Sequence, residues 1–303
     1  MALVVVFSAG GSPGASTTAL GLAFAWHRPV LLVDADPSGA SAVFAGYLRG
    51  TQAPGGGLIR LALAQRDGEL AAVLPHETLV LDPPPHHHPL GTSATAATGA
   101  AVGSVWFLAG IRDHRQAPSV VALWEPLVEQ LRAMNDQGQD VIVDAGRLGL
   151  AGSPRELILG ADLALLVTRT SLPALAAVRS YADTLREDFA ALGGGHRTGI
   201  LAVDERRRWP IQVDGIPPVR PYMPRQIEKA LKLPVVSTLP WAPDAAAVYS
   251  HGARPPRKFA GSTLLASYRA AAGAITSHIA ARPDLPKPTS AVTAAAPLTA
   301  GRS

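Results

Sequence analysis

Short runs of apolar residues alternate along the chain with longer segments in which apolar positions recur at helical spacing. The short runs predict strands at Leu3–Phe7, Val30–Val33, Leu79–Leu81, Val105–Leu108, Val141–Val143, Leu163–Thr168, Gly199–Val203 and Val235–Thr238. The longer segments predict helices at Thr17–Trp26, Gly39–Leu48, Pro118–Asn135, Pro173–Leu192, Met223–Leu231, Ala245–Ser250 and Ser262–Ala281. Several strand runs are apolar at every position, which is typical of parallel strands covered on both faces. The alternation therefore predicts an α/β fold: a doubly wound, mostly parallel sheet with helices on both faces.

The length and composition indicate how the chain is divided. It has 303 residues, of which 48% are apolar, enough for a large buried core. We expect one folded unit over residues 1–281. Residues 82–103, where a Pro/His run precedes Ala, Thr and Gly, predict a flexible loop or insertion within it. Residues 282–303 are rich in Pro, Ala and Thr and predict a disordered tail.

Composition also narrows the class of protein. The absence of cysteine excludes disulfides and cysteine-ligated metals. No apolar run reaches the roughly 18–20 residues that a membrane-spanning helix needs. The first apolar run lacks the basic residues that precede the core of a signal peptide. We therefore expect a cytoplasmic protein with no transmembrane segment.

The positive charges are clustered. The formal net charge is +4, and basic residues concentrate at 206–208, 220–232 and 254–258. A basic surface attracts nucleic acid, so non-specific DNA binding is one interpretation. An arginine-rich surface that only contacts water is the other, and the sequence leaves both open.

The segment after the first predicted strand has the form of a phosphate-binding loop without its lysine. Residues 7–18 have the sequence FSAGGSPGASTT, between a strand and a helix, which is the setting such a loop requires. Gly10 or Gly11 opens the turn, Gly14 closes it, and Ser16 has the place of the Mg²⁺-binding hydroxyl. Ala15 stands where the lysine belongs. Backbone N–H groups and a helix N-terminus can still bind phosphate, although a simple Gly/Pro/Ser turn has the same composition.

Carboxylates follow two other predicted strands. Asp34 and Asp36 come directly after the second strand, and Asp144 follows the run Asp140–Val143. The carboxyl ends of parallel strands meet at one edge of a sheet, where ligands bind. Carboxylates gathered there would repel one another without a cation. The pattern therefore predicts a cation beside the loop, either Mg²⁺ or an arginine.

These motifs resemble those of the MinD/ParA-type deviant P-loop ATPases. The loop of that family has the pattern K-G-G-x-G-K-[ST]-T, and a D-x-D segment follows on the next strand, like Asp34-Ala35-Asp36-Pro37. The resemblance continues through Asp144, the segment ADLALLV at 161–167 and the segment LPVVSTLPWAPD at 233–244, and covers residues 1–280.

The resemblance implies a role for each matching residue. It places ATP on the loop residues Gly10, Gly11, Ser12, Pro13, Gly14, Ala15, Ser16 and Thr17. It also implies that Asp36 orients the attacking water, that Ser16 binds Mg²⁺, and that Asp144 and Asp34 support the metal. Homodimers are expected by the same resemblance.

The departures from the family pattern bear on activity. Ala15 and Gly10 both stand where the family has lysines, and phosphoryl transfer depends on cations that neutralise the transferred group. Three arginines follow predicted strands and could compensate, or could lie on the surface: Arg112, Arg147 and Arg169.

The sequence supports three functional hypotheses. The favoured one is a pseudo-ATPase that binds ATP and Mg²⁺ weakly or not at all and localises or assembles a partner complex. In this it resembles the TadZ/CpaE branch of the family, whose members position the Flp/Tad pilus machinery. The alternatives are an active ParA-like ATPase that partitions DNA and a nucleotide-free structural adaptor.

Overall fold

The sheet is built from strands that the sequence pattern anticipates. A computed structural model describes residues 2–52, 55–84, 104–134, 138–205 and 221–281. The strands are β1 (Leu3–Ser8), β2 (Val30–Asp34), β3 (Thr78–Leu81), β4 (Val105–Leu108), β5 (Asp140–Arg147), β6 (Leu163–Arg169), β7 (Thr198–Asp204) and β8 (Val235–Pro240).

Helices connect most of these strands. They are α1 (Ala15–Ala25), α2 (Gly57–Arg66), α3 (Leu70–Val73), α4 (Ala117–Val120), α5 (Trp124–Ala133), α6 (Arg155–Gly160), α7 (Leu172–Ala191), α8 (Pro224–Leu231), α9 (Pro243–His251) and α10 (Thr263–Ala280). A π-helical segment, Ala42–Tyr47, follows β2, and short 3₁₀ segments are Leu74–Glu77, His114–Gln116, Val121–Leu123 and Phe259–Gly261.

The eight strands form one sheet in the order β3-β4-β2-β5-β1-β6-β7-β8. All pairs are parallel except β3 with β4, which is antiparallel. The carboxyl ends of β1, β2, β5, β6, β7 and β8 therefore lie at the same edge of the sheet. The fold is the expected α/β fold with a mostly parallel sheet.

Each face of the sheet is covered by its own apolar cluster. One cluster contains side chains of α2 to α8, with Trp124 and Phe189 among the most buried. The other contains side chains of α1, the π-helical segment, α9 and α10, with Tyr249 and Tyr268 fully buried. Burial on both faces explains why β1 and β2 are apolar up to their last residue, and β6 up to its last two.

The helix predictions needed three corrections. The predicted helix Gly39–Leu48 is only the π-helical segment, because Gly39 has a φ of +76° and its backbone packs against Asp113 and His114. The predicted helix Pro118–Asn135 is divided into α4, a 3₁₀ turn and α5; Pro126 lies in the first turn of α5, where its missing N–H is tolerated. The sequence pattern missed α2, α3 and α6.

Two expectations concern residues that the structure does not describe. Most of the predicted loop at 82–103 and the whole predicted tail at 282–303 lie outside the described residues. In the described part of the chain, every helix is too short or too polar to cross a membrane.

Candidate functional site

Strand register brings the predicted acidic residues to the loop. Asp34 of β2 and Asp144 of β5 are direct partners across two neighbouring strands. Asp144 also pairs with Val6 of β1, two residues before that strand ends and the loop begins. Because β1, β2 and β5 are parallel, the loop and these carboxylates share one edge of the sheet.

The loop backbone has the conformation of a glycine-rich turn that leads into a helix. Gly11 and Gly14 have φ angles of +70° and +96°, and Ser12 adopts a φ of +44° that side chains disfavour. Helix α1 begins at Ala15, and no side-chain hydrogen bond caps it. The first amide groups of such a helix form an anion-binding site.

The two positions without lysine have distinct surroundings. Ala15 is buried and belongs to the apolar cluster under α1. Gly10 lies against α7, where a Cβ atom would be 3.3 Å from Cβ of Ala177. Neither residue supplies a cation to the loop.

Asp34 and Asp144 form a buried acidic pair. The Asp144 carboxylate accepts hydrogen bonds from the Ser16 side chain and from the Gly146 N–H, the latter at 3.0 Å. Asp34 accepts from the Asp36 N–H at 3.3 Å and from the Ser41 side chain. Burial, followed by repulsion from neighbouring aspartates, raises the pKa of Asp34 to about 6 and that of Asp144 to about 7. The pair is therefore partly protonated near neutral pH in the absence of a cation.

Asp36 is held at the rim of this pair. Its carboxylate accepts the Ser38 N–H at 2.8 Å. Gly146, with a φ of +61°, lies so close that a Cβ atom there would be 2.2 Å from Cγ of Asp36. Only glycine meets both requirements, the positive φ and the missing side chain. The structure thus brings Ser16, Asp34, Asp36 and Asp144 together, and their roles remain predictions.

The donor set suits Mg²⁺ when phosphate oxygens complete it. Carboxylates and a serine hydroxyl are the hard oxygen ligands that Mg²⁺ prefers. Among the described residues, no group of three or more acidic or histidine side chains is arranged to hold a metal by itself. Mg²⁺ commonly binds through one or two carboxylates together with substrate phosphates. The residues therefore fit a magnesium–nucleotide complex better than a free ion.

Of the three candidate arginines, Arg169 reaches the loop. Its Nη2 donates to the Ser12 carbonyl at 2.9 Å, and its guanidinium lies 4.9 Å from the ring centre of Trp241. Arg112 donates instead to the Gly55 carbonyl at 2.7 Å, and Arg147 is exposed at the end of β5.

A cleft of about 340 Å³ adjoins the loop on the β8 side. It is lined by loop residues, by Arg169, by Pro240 at the end of β8, and by the segment that follows, including Trp241 and His251. The sequence analysis gave Trp241 no role. Its position directly after a strand that ends at the site edge is the signal that could have identified it.

The sheet order, the loop between β1 and α1, and the acidic pair at the carboxyl edge are the features of a P-loop NTPase-like α/β fold. No protein-family profile matches the sequence, and no curated protein matches it. Solved structures do match. The ParA family ATPase of Chlorobium tepidum TLS superposes with a TM-score of 0.61 at 17% identity, over 89% of this chain and 97% of that one.

Two MinD structures give similar values. The cell division ATPase MinD of Pyrococcus furiosus has a TM-score of 0.58 at 19% identity, over 90% of this chain and 98% of that one. The septum site-determining protein MinD of Pyrococcus horikoshii OT3, in complex with Mg-ADP, has a TM-score of 0.52 at 16% identity, over 90% and 94%. The chain therefore has the fold of the MinD/ParA-type P-loop ATPases.

Proposed function

We propose that this protein binds an adenine nucleotide with Mg²⁺ at the loop and hydrolyses it slowly or not at all. One observation carries the proposal: Ser16 and the three aspartates are gathered at a glycine-rich loop, while the lysine position holds a buried alanine. The loop amides and α1 would hold the phosphates, and the cleft beside Trp241 has room for the base. When bound, Mg²⁺ would neutralise phosphate charge.

The missing cation explains why hydrolysis should be slow. Asp36 lies beside the acidic pair. The resemblance to the MinD/ParA-type ATPases implies that this residue orients the attacking water. However, neither Ala15 nor Gly10 neutralises charge on the transferred group. Loss of one preorganised charge-stabilising donor typically costs roughly 10²–10³ in rate. Because both lysine positions lack a cation, we expect a protein that binds nucleotide but does not turn it over at a useful rate.

We further propose that the site edge is a surface for protein association. Three large apolar side chains are exposed there: Leu150 after β5, Leu172 at the start of α7 and Met223 before α8, with exposures of 40%, 54% and 48%. The Tyr222 N–H donates to the Thr170 carbonyl, which holds Met223 near the start of α7. Dimerisation there, and localisation of a partner complex such as the Flp/Tad pilus machinery, is the function that the sequence resemblance favours.

Ligand-dependent thermal stability tests the nucleotide proposal. ATP–Mg²⁺ and ADP–Mg²⁺ should each raise the melting temperature of the full chain, because a ligand that binds the folded state stabilises it. Phosphate release from ATP should stay at background. The substitution Ala15→Lys should tighten ATP binding if the loop is intact, and melting of that variant without ligand shows whether the buried position accepts it.

Two results would contradict the proposal. The absence of any shift with either nucleotide would favour the structural adaptor. Steady ATP turnover that Asp36→Ala abolishes would show a working ATPase.

A further inference from the structure

The loop lacks its lysine, yet a cation reaches it from the neighbouring strand. Arg169 ends β6, which pairs with β1, the strand that leads into the loop. Its Nη2 donates to the Ser12 carbonyl at 2.9 Å. Among the described residues that line the cleft, it is the single arginine or lysine.

The hydrogen bonds of Arg169 are incomplete. Its Nε is buried and has no hydrogen-bond partner among the described residues. Its ion pair with the buried Glu205 is long, at 4.0 Å between Nη1 and Oε1. The indole of Trp241 lies over the guanidinium and restricts its orientation. The side chain is nevertheless 25% exposed and lines the cleft, so unused N–H groups of its Nη atoms can donate to a ligand there.

We propose that Arg169 is the residue that binds the nucleotide phosphates in place of the missing lysine. A guanidinium has five N–H donors in a planar fork that suits phosphate oxygens. The charge at the loop would then come from the end of β6 instead of from α1. This inference rests on the proposed nucleotide binding, and it assigns Arg169 to phosphate binding, not to chemistry.

A structural role is the competing explanation. Ser12 adopts a φ of +44°, and the hydrogen bond from Arg169 could serve only to hold that strained conformation. The two roles differ in what they require. Phosphate binding requires the charge and applies only to ligands with phosphates, whereas a brace is no longer needed if residue 12 is glycine.

Calorimetric titration of the full chain with ATP–Mg²⁺ and with adenosine distinguishes the phosphate-binding role of Arg169 from the structural role. Arg169→Gln should weaken ATP binding about ten-fold or more, because hydrogen bonds to charged groups contribute that much. The same substitution should change the affinity for adenosine, which has no phosphates, by about two-fold at most. Arg169→Lys should recover part of the ATP affinity. In the double variant Ser12→Gly/Arg169→Gln the loop no longer needs a brace, and the ATP affinity should still stay low because the charge is missing. Arg66→Gln, which removes an exposed arginine at the end of α2, is the matched control and should bind as the wild type does.

The outcomes separate this inference from the function on which it rests. If the wild-type chain binds no ATP, both are overturned. If it binds ATP and Arg169→Gln binds equally well, only the role of Arg169 is overturned. Equal losses for ATP and adenosine, or rescue by Ser12→Gly, would make Arg169 a structural brace.

Discussion

Asp34 and Asp144 form a buried acidic pair whose two charges are unfavourable unless a cation lies beside them. Each side chain is at least 94% buried, and the two face each other from adjacent strands. Desolvation disfavours the charged form of each, and each charge disfavours the other. Hydrogen bonds from Ser16, Ser41 and backbone amides offset only part of this effect. Such a pair lowers stability unless a proton or a cation neutralises it.

Stability should therefore fall as pH rises from about 4 to about 7 in the presence of a chelator. The folded-state pKa values of about 6 and about 7 lie above the ordinary value of 3.8. Between these values the folded chain holds protons that the unfolded chain has lost, so the free energy of unfolding decreases with pH. Asp144→Asn should stabilise the protein by roughly 1–3 kcal/mol at pH 8 and by little near pH 4. Urea unfolding at several pH values measures this difference.

The exposed carboxylate of Asp67, at the end of α2, provides the control. Asp67→Asn removes the same charge without changing the buried pair. A stabilisation by Asp144→Asn that is the same at pH 4 and pH 8 would contradict the assigned cause.

At the scale of elements, the contact between α1 and α10 supports the helix that starts at the loop. Gly21 of α1 lies directly under the ring of Tyr268, and a Cβ atom at Gly21 would be 2.3 Å from that ring. The Tyr268 hydroxyl donates to the Thr17 carbonyl at 3.4 Å. Helix α10, distant in sequence, thus fixes the first turns of α1 and with them the phosphate-binding loop.

A pair of glycine substitutions tests this contact. Gly21→Ala should destabilise the protein by about 1–3 kcal/mol, because the added methyl group overlaps a buried aromatic ring. Gly273→Ala in α10 meets nothing within 4 Å and should stabilise by up to about 1 kcal/mol, since alanine favours helix. Thermal and urea unfolding measure both. If Gly21→Ala stabilised the protein as Gly273→Ala does, the ring of Tyr268 would have to move away from α1 at little energetic cost, contrary to this prediction.

The strands and helices also show how much of the structure could be predicted from the sequence. The strands were predictable because continuous apolar runs such as that of β1 have few alternatives in an α/β chain. Helices α2, α3 and α6 were missed because α3 and α6 have only four and six residues and α2 packs on a narrow set of buried positions. At the site, strand order and motif spacing placed the aspartates together. The contacts of Arg169 with Ser12 and Trp241 depend on the neighbours of β6, which no local pattern contains.

At the scale of the whole molecule, the sheet separates the basic clusters. Arg225, Lys229 and Lys232 belong to or follow α8, which packs on the same face as α7. Arg254, Arg257 and Lys258 lie between α9 and α10, which cover the other face. The cluster at 206–208 lies outside the described residues. A single straight duplex therefore meets one described cluster of three charges at a time.

Duplex DNA binding should accordingly be weak, with a salt dependence set by the three charges of one cluster. Three neutralised phosphates predict a slope of log affinity against log salt of about −3, since each contributes about −0.9. Fluorescence anisotropy with a labelled duplex, between about 50 and 200 mM salt, measures this slope. Charge reversal of the cluster at Arg254, Arg257 and Lys258 should remove its own contribution and leave that of α8. A slope of about −6 or steeper would mean that the clusters act together, as a dimer could arrange, and would favour the DNA-partitioning alternative over a protein partner.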